Sequence, residues 1–107
     1  MEFNNNYDYS EFYKLVVTLI VRGYNVEVFN SYDGKQVTVY SQKSSISLEK
    51  EYMWDATIHK YSYGHEQGLL EIYGTIVEKF NSDDTVQGYL TADEILKYCP
   101  KLTEALF

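Results

Sequence analysis

Apolar residues recur at spacings of three and four between Tyr9 and Val21, which is the period of one helical face. Asp8 and Glu11 have the spacing of a capping box before this run, and Gly23 follows it as a C-terminal stop. The pattern predicts a helix with its apolar stripe in the core. The stripe consists of Tyr9, Phe12, Tyr13, Val16, Leu19 and Ile20, widened by Leu15, Val17 and Val21.

Apolar and polar residues then alternate along YNVEVFNSYDGKQVTVYS, which is typical of two half-exposed strands. The pair Asp33-Gly34 favours a two-residue turn between them, with Tyr32 opposite Lys35. In this register one face of the hairpin carries only valines, so pattern and pairing agree. The valine face consists of Val26, Val28, Val37 and Val39, and the other face of Glu27, Phe29, Thr38 and Tyr40.

A second antiparallel hairpin is predicted from WDATIHKYSY and LLEIYGTIV, because the inward apolar positions of both runs are even-numbered. Such a pairing closes with a loop of three or five residues, GHE or GHEQG, in which Gly64 and Gly68 supply positive φ. The inward set is Trp54, Ala56, Ile58, Leu70, Ile72 and Ile76. The outward set is Asp55, Thr57, His59, Tyr61, Tyr63, Glu71 and Tyr73.

The remaining segments complete the predicted fold. Residues 1–7 form a frayed lead-in, residues 42–53 a short strand or a loop, and residues 86–90 a further short strand. Thr91 and Glu94 have the spacing of a capping box that opens a helix through Tyr98, and Pro100 breaks it or starts a last turn, in which Leu102, Leu106 and Phe107 cover a core edge. The order predicts one α+β domain over residues 1–107, an antiparallel sheet of four to five strands with an N-terminal and a C-terminal helix on one face.

Charge and tyrosine content narrow the partners. The chain has 107 residues and a net charge of −7, of which residues 1–53 carry −2 (7 acids, 5 bases) and residues 54–107 carry −5 (9 acids, 4 bases). This charge disfavours nucleic acid and anionic lipid and favours a cationic partner. The 12 tyrosines can line the core margin or form an adhesive surface, and we expect most at the core margin. The open face of the sheet is expected to carry Tyr61, Tyr63, Tyr73 and Tyr40.

The sequence has few features of secreted proteins, membrane proteins or metal proteins. Cys99 is the single cysteine, so the chain forms no internal disulfide and no thiolate zinc cluster. The first ten residues lack a secretion signal, and LVVTLIV is too short to span a bilayer. We therefore expect a cytoplasmic protein without membrane contact.

Candidate catalytic and metal-binding groups are sparse. His65-Glu66 has no nucleophile nearby in sequence to complete a relay, so a solvated turn is the favoured interpretation. His59, His65, Glu66 and Glu71 match no metal-ligand spacing, and His59 with Glu71 is expected to form a cross-strand polar pair. No cofactor motif and no glycine-rich phosphate loop is present. We expect no enzymatic activity, no cofactor and no metal.

The segments GHEQGLLEIYG and QGYLTADEIL resemble small proteins encoded by bacterial phages and prophages. The resemblance covers about the second half of the chain. Proteins of this size and charge in such elements include anti-CRISPR inhibitors, some of which occupy the cationic nucleic-acid channel of a nuclease. The resemblance therefore implies a stoichiometric inhibitor, without assigning roles to residues.

The sequence favours a small acidic module that binds a basic protein surface, for example on a nucleic-acid-binding enzyme. Carboxylates on a rigid surface can occupy lysine and arginine sites otherwise filled by phosphates. One alternative is a structural or homo-oligomeric domain, for example a homodimer, whose tyrosine face is a seam between copies. Another is a small-molecule or metal-dependent enzyme using His59, His65 and Glu66. The predicted contact residues are Asp83, Asp84, Asp93, Glu94 and Glu71, with Tyr61, Tyr63 and Tyr73 as anchors.

Overall fold

A computed structural model describes residues 7–41, 51–81 and 83–102 of the chain. Within these residues, five strands form one antiparallel sheet in the order in which they occur along the chain. The predicted α+β fold is confirmed. In chain order the elements are α1 (Ser10–Val21), β1 (Asn25–Ser31), β2 (Gly34–Tyr40), β3 (Tyr52–Ile58), β4 (Leu70–Gly74), β5 (Val86–Leu90) and α2 (Ala92–Leu96).

The core lies between the two helices and one face of the sheet. Alternate residues of the three central strands point into it, as period-two patterning requires, and a single cluster of buried side chains joins them to both helices. The opposite face of the sheet has no helix over it among the described residues. Core residues include Phe12, Leu15 and Leu19 of α1, Val37, Val39, Trp54, Ala56, Ile58, Leu70 and Ile72 of the sheet, and Ile95 and Leu96 of α2.

The predicted capping box of the first helix is wrong. Asp8 Oδ1 does accept a hydrogen bond from Ser10 N, but Glu11 turns away from Asp8, and its Oε1 accepts a hydrogen bond from Ala92 N at 2.7 Å. Glu11 therefore satisfies an orphan donor at the start of α2, 81 positions along the chain. No short-range pattern indicates such a contact.

The apolar stripe of α1 is narrower than predicted. Its contacts with α2 and β1 bury one side, which contains Phe12, Leu15, Val16 and Leu19. The neighbouring positions project beyond these contacts into solvent. The predicted core side chains that are exposed are Tyr13, Ile20, Val17 and Val21.

The first hairpin is confirmed, but its turn is displaced. Asn30 lies opposite Lys35, so the turn is Tyr32-Asp33 and not Asp33-Gly34. The displacement is two positions in register, so the predicted faces of the hairpin are unchanged. Gly34 has no positive φ, and glycine is needed there because a Cβ would lie 1.9 Å from Ile58 O on β3.

The second hairpin is confirmed for β3 and β4 with even residues paired, as in Ala56 opposite Ile72. Its second strand is shorter than predicted, because β4 ends at Gly74 and a 3-10 helix at Thr75–Phe80 follows, which carries Ile76 into the core. The predicted short loop is wrong, because residues 59–69 connect the strands and contain a 3-10 helix at His65–Gln67. Gly64 and Gly68 do have positive φ. The loop is long because it contacts elements on both sides of the hairpin. Lys60 N donates to Asp33 Oδ1 in the turn of the first hairpin, and Tyr89 N of β5 donates to Tyr63 O.

The C-terminal elements follow the predictions closely. The strand at residues 86–90 is confirmed, and so is the capping box, in which Glu94 N donates to Thr91 Oγ1 and Thr91 N donates to Glu94 Oε1. The helix ends at Leu96, earlier than predicted. Leu102 is exposed and does not cover the core.

Some of the predictions fall on segments that the structure does not describe, or on residues that border them. Those for residues 1–6, for residues 42–50 and for Leu106 and Phe107 lie outside the described residues. The start of β3 takes up the last two positions of the predicted segment 42–53. Tyr7, assigned to the frayed lead-in, is held by its hydroxyl, which donates to Asp33 Oδ2 at 2.6 Å.

Candidate protein-binding face of the sheet

Two carboxylates lie near the middle of the open sheet face, Asp55 on β3 and Glu71 on β4. Asp55 faces Tyr73 across the strands and Glu71 faces Thr57, so the carboxylates are diagonal neighbours. Asp55 Oδ2 accepts a hydrogen bond from Tyr52 Oη at 2.8 Å, and Glu71 Oε1 accepts one from Tyr63 N at 2.8 Å. Within the described parts of the chain, neither carboxylate has a lysine or arginine partner.

Partial burial makes the charged forms of both groups unfavourable. Burial raises the pKa of Asp55 above its ordinary value, and the hydrogen bond from Tyr52 only partly offsets this. Burial also raises the pKa of Glu71; the hydrogen bond from Tyr63 N lowers it, and repulsion from Asp55 raises it again. A cation placed between these two carboxylates would stabilise both charges.

Tyrosine rings flank the carboxylates. Tyr52 and Tyr73 are 43% and 49% exposed, and Tyr52 Oη also lies 3.3 Å from Tyr73 O. Tyr52 reaches this face because the register shifts at the start of β3, where Trp54 pairs with Val39 but Tyr52 pairs with Tyr40. The result is a pair of carboxylates bordered by half-exposed aromatic rings.

Two clefts continue this surface toward the end of the sheet. The larger, of about 430 Å³, lies where β3 starts and β4 ends and is lined by Tyr52, Tyr73 and Asp84. The smaller, of about 270 Å³, is lined by Tyr63, Tyr89 and Asp84, and its two tyrosine rings stack with centroids 6.4 Å apart. Because Asp84 borders both, the clefts adjoin. Such a surface can hold long cationic side chains against aromatic faces.

The structure brings together half of the predicted contact residues. Glu71, Tyr73, Tyr63 and Asp84 belong to this face and its clefts, and Asp83 precedes Asp84 in the same exposed loop. We call the surface formed by Tyr52, Asp55, Tyr63, Glu71, Tyr73, Asp84 and Tyr89 the acidic tyrosine face.

The other predicted contact residues lie elsewhere. Tyr61 packs against Tyr32 at the turn of the first hairpin, with ring centroids 5.0 Å apart. Asp93 and Glu94 belong to the helical layer, where Asp93 forms an ion pair with Lys14 at 3.0 Å and Glu94 completes the capping box of α2. Sequence proximity to Asp83 and Asp84 does not place them on the same surface.

Sequence reasoning missed Asp55, Tyr52 and Tyr89 as site residues. Asp55 has the parity of Glu71 and Tyr73, so the alternating pattern already placed it on the correct face. Tyr52 is even-numbered, so strict alternation assigns it to the core face, and the register shift turns it to the open face. Tyr89 has a positive φ of 59°, a local backbone conformation without a sequence signal for a tyrosine.

The expectation that most tyrosines line the core margin is wrong. Tyrosine is amphipathic, and in this fold the edges and loops of the sheet present most of these rings to solvent. The large exposed fraction is consistent with an adhesive surface. The exposed tyrosines, out of 12 in the chain, are Tyr13, Tyr32, Tyr52, Tyr61, Tyr63, Tyr73 and Tyr89.

The two histidines are held within the loop of residues 59–69. His59 Nδ1 accepts a hydrogen bond from Tyr61 N, and burial lowers the pKa of this imidazole. His65 Nδ1 lies 2.7 Å from Ser62 O. The predicted His59–Glu71 pair is wrong, because Glu71 lies opposite Thr57. Among the described residues, no three acidic, histidine or cysteine side chains converge as metal ligands.

Neutralising the two central carboxylates should stabilise the fold at pH 7. With raised folded-state pKa values, Asp55 and Glu71 contribute stability that is fully present below their unfolded pKa values and lost as pH rises through the folded ones. The isosteric pair Asp55→Asn and Glu71→Gln should therefore raise the free energy of unfolding by about 0.5 kcal/mol at pH 7, allowing for solvent screening. Urea unfolding at pH 7 and pH 3 checks this: the gain should disappear at pH 3, and a gain that is equal at both pH values would contradict the assigned pKa shifts.

Comparison of the chain with protein-family models, with curated protein sequences and with solved structures gives no match. In the part of the chain that the structure describes, the helices are too short to cross a membrane.

Proposed function

We propose that this chain is a protein-binding module that applies its acidic tyrosine face to a basic surface of another protein. The observation that carries the proposal is the pair Asp55 and Glu71, half-buried carboxylates with raised pKa values and no cationic partner among the described residues. Removing carboxylates from water is unfavourable unless they are paired. A lysine or arginine of a partner would supply the missing counter-charge.

The acidic tyrosine face is built for binding with little reorganisation. Asp55 lies on β3 and Glu71 on β4, and each of these strands is paired on both sides. Their hydrogen bonds to Tyr52 and Tyr63 fix the carboxylates before a partner arrives. Preorganised side chains lose little conformational entropy on association, and rigid tyrosines provide contact area at a low entropic cost.

Inhibition follows if the bound surface is one that normally holds nucleic acid. Lysine and arginine sites that bind phosphates have a positive potential, which also attracts an acidic protein. By covering such sites, the chain would compete with nucleic acid without catalysing a reaction. This is the mode of action implied by the resemblance to phage-encoded inhibitors.

The same geometry disfavours the alternative in which the acidic tyrosine face is a seam between two copies. A face-to-face dimer would bring Asp55 and Glu71 near their equivalents, in a region where burial already opposes ionisation. Like charges brought together in a desolvated seam are repulsive. A cationic partner relieves this repulsion, whereas a second copy increases it.

Binding to an arginine-rich peptide tests the proposal. We expect the double substitution Asp55→Asn and Glu71→Gln to weaken binding, measured by calorimetry at low salt, by about tenfold, since buried charge contacts contribute more than exposed ones. The matched control is Asp93→Asn with Glu94→Gln, which removes the same charge from the helical layer and should change affinity by less than about twofold. Equal losses in the two variants would contradict the proposal, because binding would then follow net charge or would also involve Asp93 and Glu94, as the sequence predicted.

The same peptide and variants can test whether binding of the chain displaces nucleic acid. A labelled oligonucleotide bound to the arginine-rich peptide should be released by the unmodified chain at lower concentrations than by the Asp55→Asn, Glu71→Gln variant. Peptide binding without oligonucleotide release would contradict inhibition while leaving the binding proposal standing.

A further inference from the structure

Among the strands that the structure describes, β1 and β5 are the two edges of the sheet, and β5 is protected. Tyr89 N donates to Tyr63 O at 3.1 Å, so the loop of residues 59–69 occupies a backbone donor of this strand. Tyr89 has a positive φ, and the pairing of β5 with β4 contains a register shift. Irregular backbone and a covering loop are devices that prevent further strands from adding to an edge.

Among the described residues, β1 has neither an irregular backbone nor a loop bonded to its outer side. Its seven residues pair with β2 without a register shift, and its sequence NVEVFNS contains no lysine and no proline. Val28 and Phe29 are 47% and 41% exposed. A regular strand with exposed apolar side chains is a template for another strand.

The outward backbone groups of β1 can be assigned from the turn. Ser31 and Gly34 flank a two-residue turn, so they form a hydrogen-bonded pair, and bonded pairs alternate along the strands. The N–H and C=O groups of Val26, Val28 and Asn30 therefore point away from β2. No backbone hydrogen bond from elsewhere in the described residues reaches them.

We propose that β1 is a dimer interface, in which two copies of this chain pair their β1 strands antiparallel about a two-fold axis at Val28. This register pairs all the outward backbone groups: Val28 with Val28 of the second copy, and Val26 with Asn30 in both directions. Glu27 then lies opposite Phe29 of the second copy. A register centred on Glu27 would place two glutamates opposite each other, and one centred on Phe29 would leave Val26 without a bonded partner among the outward residues.

The charge distribution fits a second copy as the occupant. Glu27 is the one ionisable residue of β1, and residues 1–53 carry a net charge of only −2. The carboxylates of the acidic tyrosine face lie on β3, on β4 and beside β5. Edge-to-edge pairing therefore keeps the two acidic regions apart, and it leaves both acidic tyrosine faces open. The dimer does not depend on the function proposed for those faces.

The predicted register makes opposite substitutions at one position behave differently. Phe29→Glu places a carboxylate opposite Glu27 of the second copy, twice by symmetry, whereas Phe29→Lys places an ammonium there. Sedimentation equilibrium of the full chain at low salt should show a concentration-dependent dimer for the unmodified chain and for Phe29→Lys. The dissociation constant of Phe29→Glu should be about tenfold higher than that of Phe29→Lys, from two cross-strand charge pairs. Equal dissociation constants, or an unmodified chain that stays monomeric over the whole concentration series, would overturn the proposal.

A second pair of variants tests the backbone contact. Val28→Pro removes an outward N–H without removing a hydrogen bond to β2, and should yield monomers. Val28→Thr keeps this donor and should remain dimeric. Circular dichroism verifies that each variant is folded, and if Val28→Pro fails to fold, the comparison at Phe29 decides. A folded Val28→Pro variant that dimerises like Val28→Thr would contradict strand pairing.

Discussion

Replacing Gly34 by alanine is expected to lower the free energy of unfolding by about 3 kcal/mol or more. A Cβ at this position would lie 1.9 Å from Ile58 O and 2.9 Å from His59 Cα. Both atoms belong to the backbone, so neither can move without disturbing the pairing of β2 with β3. Since Gly34 has no positive φ, the cost arises from overlap and not from turn conformation.

Gly68→Ala is the control for this substitution. Gly68 has a φ of +73°, and the nearest atom to its Cβ would be Asp8 Cβ at 3.0 Å, on a side chain near the start of the described residues. We expect a loss of about 1 kcal/mol, typical of a non-glycine residue at positive φ. Urea unfolding followed by the fluorescence of the buried Trp54 measures both variants. Equal losses would contradict overlap with Ile58 O as the origin of the cost at Gly34.

Arg22→Ala should be the next most damaging substitution, with a loss of about 2 to 3 kcal/mol in the free energy of unfolding. Arg22 Nη1 donates to Leu96 O at 3.0 Å and to Cys99 O at 2.7 Å. Leu96 is the last residue of α2, where the helix dipole favours a cation, and Cys99 lies three residues further along the chain. Arg22 O also accepts a hydrogen bond from Leu102 N, so this residue joins the end of α1 to the C-terminal segment.

Two controls separate the role of Arg22 from a general effect of charge. Arg22→Lys keeps the charge but lacks the guanidinium that reaches both carbonyls, so an intermediate loss is expected. Lys14→Ala breaks the exposed ion pair with Asp93 and should lower stability by less than about 1 kcal/mol. A loss for Arg22→Ala no greater than that for Lys14→Ala would contradict the assigned hydrogen bonds.

Alternation of apolar and polar residues was sufficient to predict the faces of the sheet. Val37 and Val39 point into the core, Asp55 and Glu71 point outward, and both hairpins keep their predicted parity. Parity survives a shift of two residues, which is why the faces are correct although the first turn is displaced. The C-terminal capping box was predictable because all its atoms lie within four residues.

What could not be predicted depends on contacts between distant parts of the chain. Glu11 accepts a hydrogen bond from Ala92 N, and Lys60 N donates to Asp33. Gly34 was predicted as a residue of the turn, yet the approach of Ile58 is what requires glycine there. Each contact is set by tertiary packing, which local patterns do not encode.

The candidate site could be predicted only in part, because it too depends on contacts between distant parts of the chain. Glu71 and Tyr73 were placed on the correct face by alternation, but the role of Asp55 depends on burial, which raises its pKa and which the sequence does not give. Asp93 and Glu94 were grouped with Asp83 and Asp84 by sequence proximity alone. The fold separates these pairs, because β5 lies between the loop and α2.

The central proposal is that Asp55 and Glu71, which have no cationic partner among the described residues, form a partly desolvated anionic site that receives a cationic partner. Titration of their side-chain carboxyl signals by NMR, without and with a saturating arginine-rich peptide, tests it most directly. We predict pKa values above the ordinary carboxyl range in the free chain and a fall in both values when the peptide is bound, because a nearby cation favours the charged form. Ordinary pKa values in the free chain, or values that the bound peptide leaves unchanged, would contradict the claim.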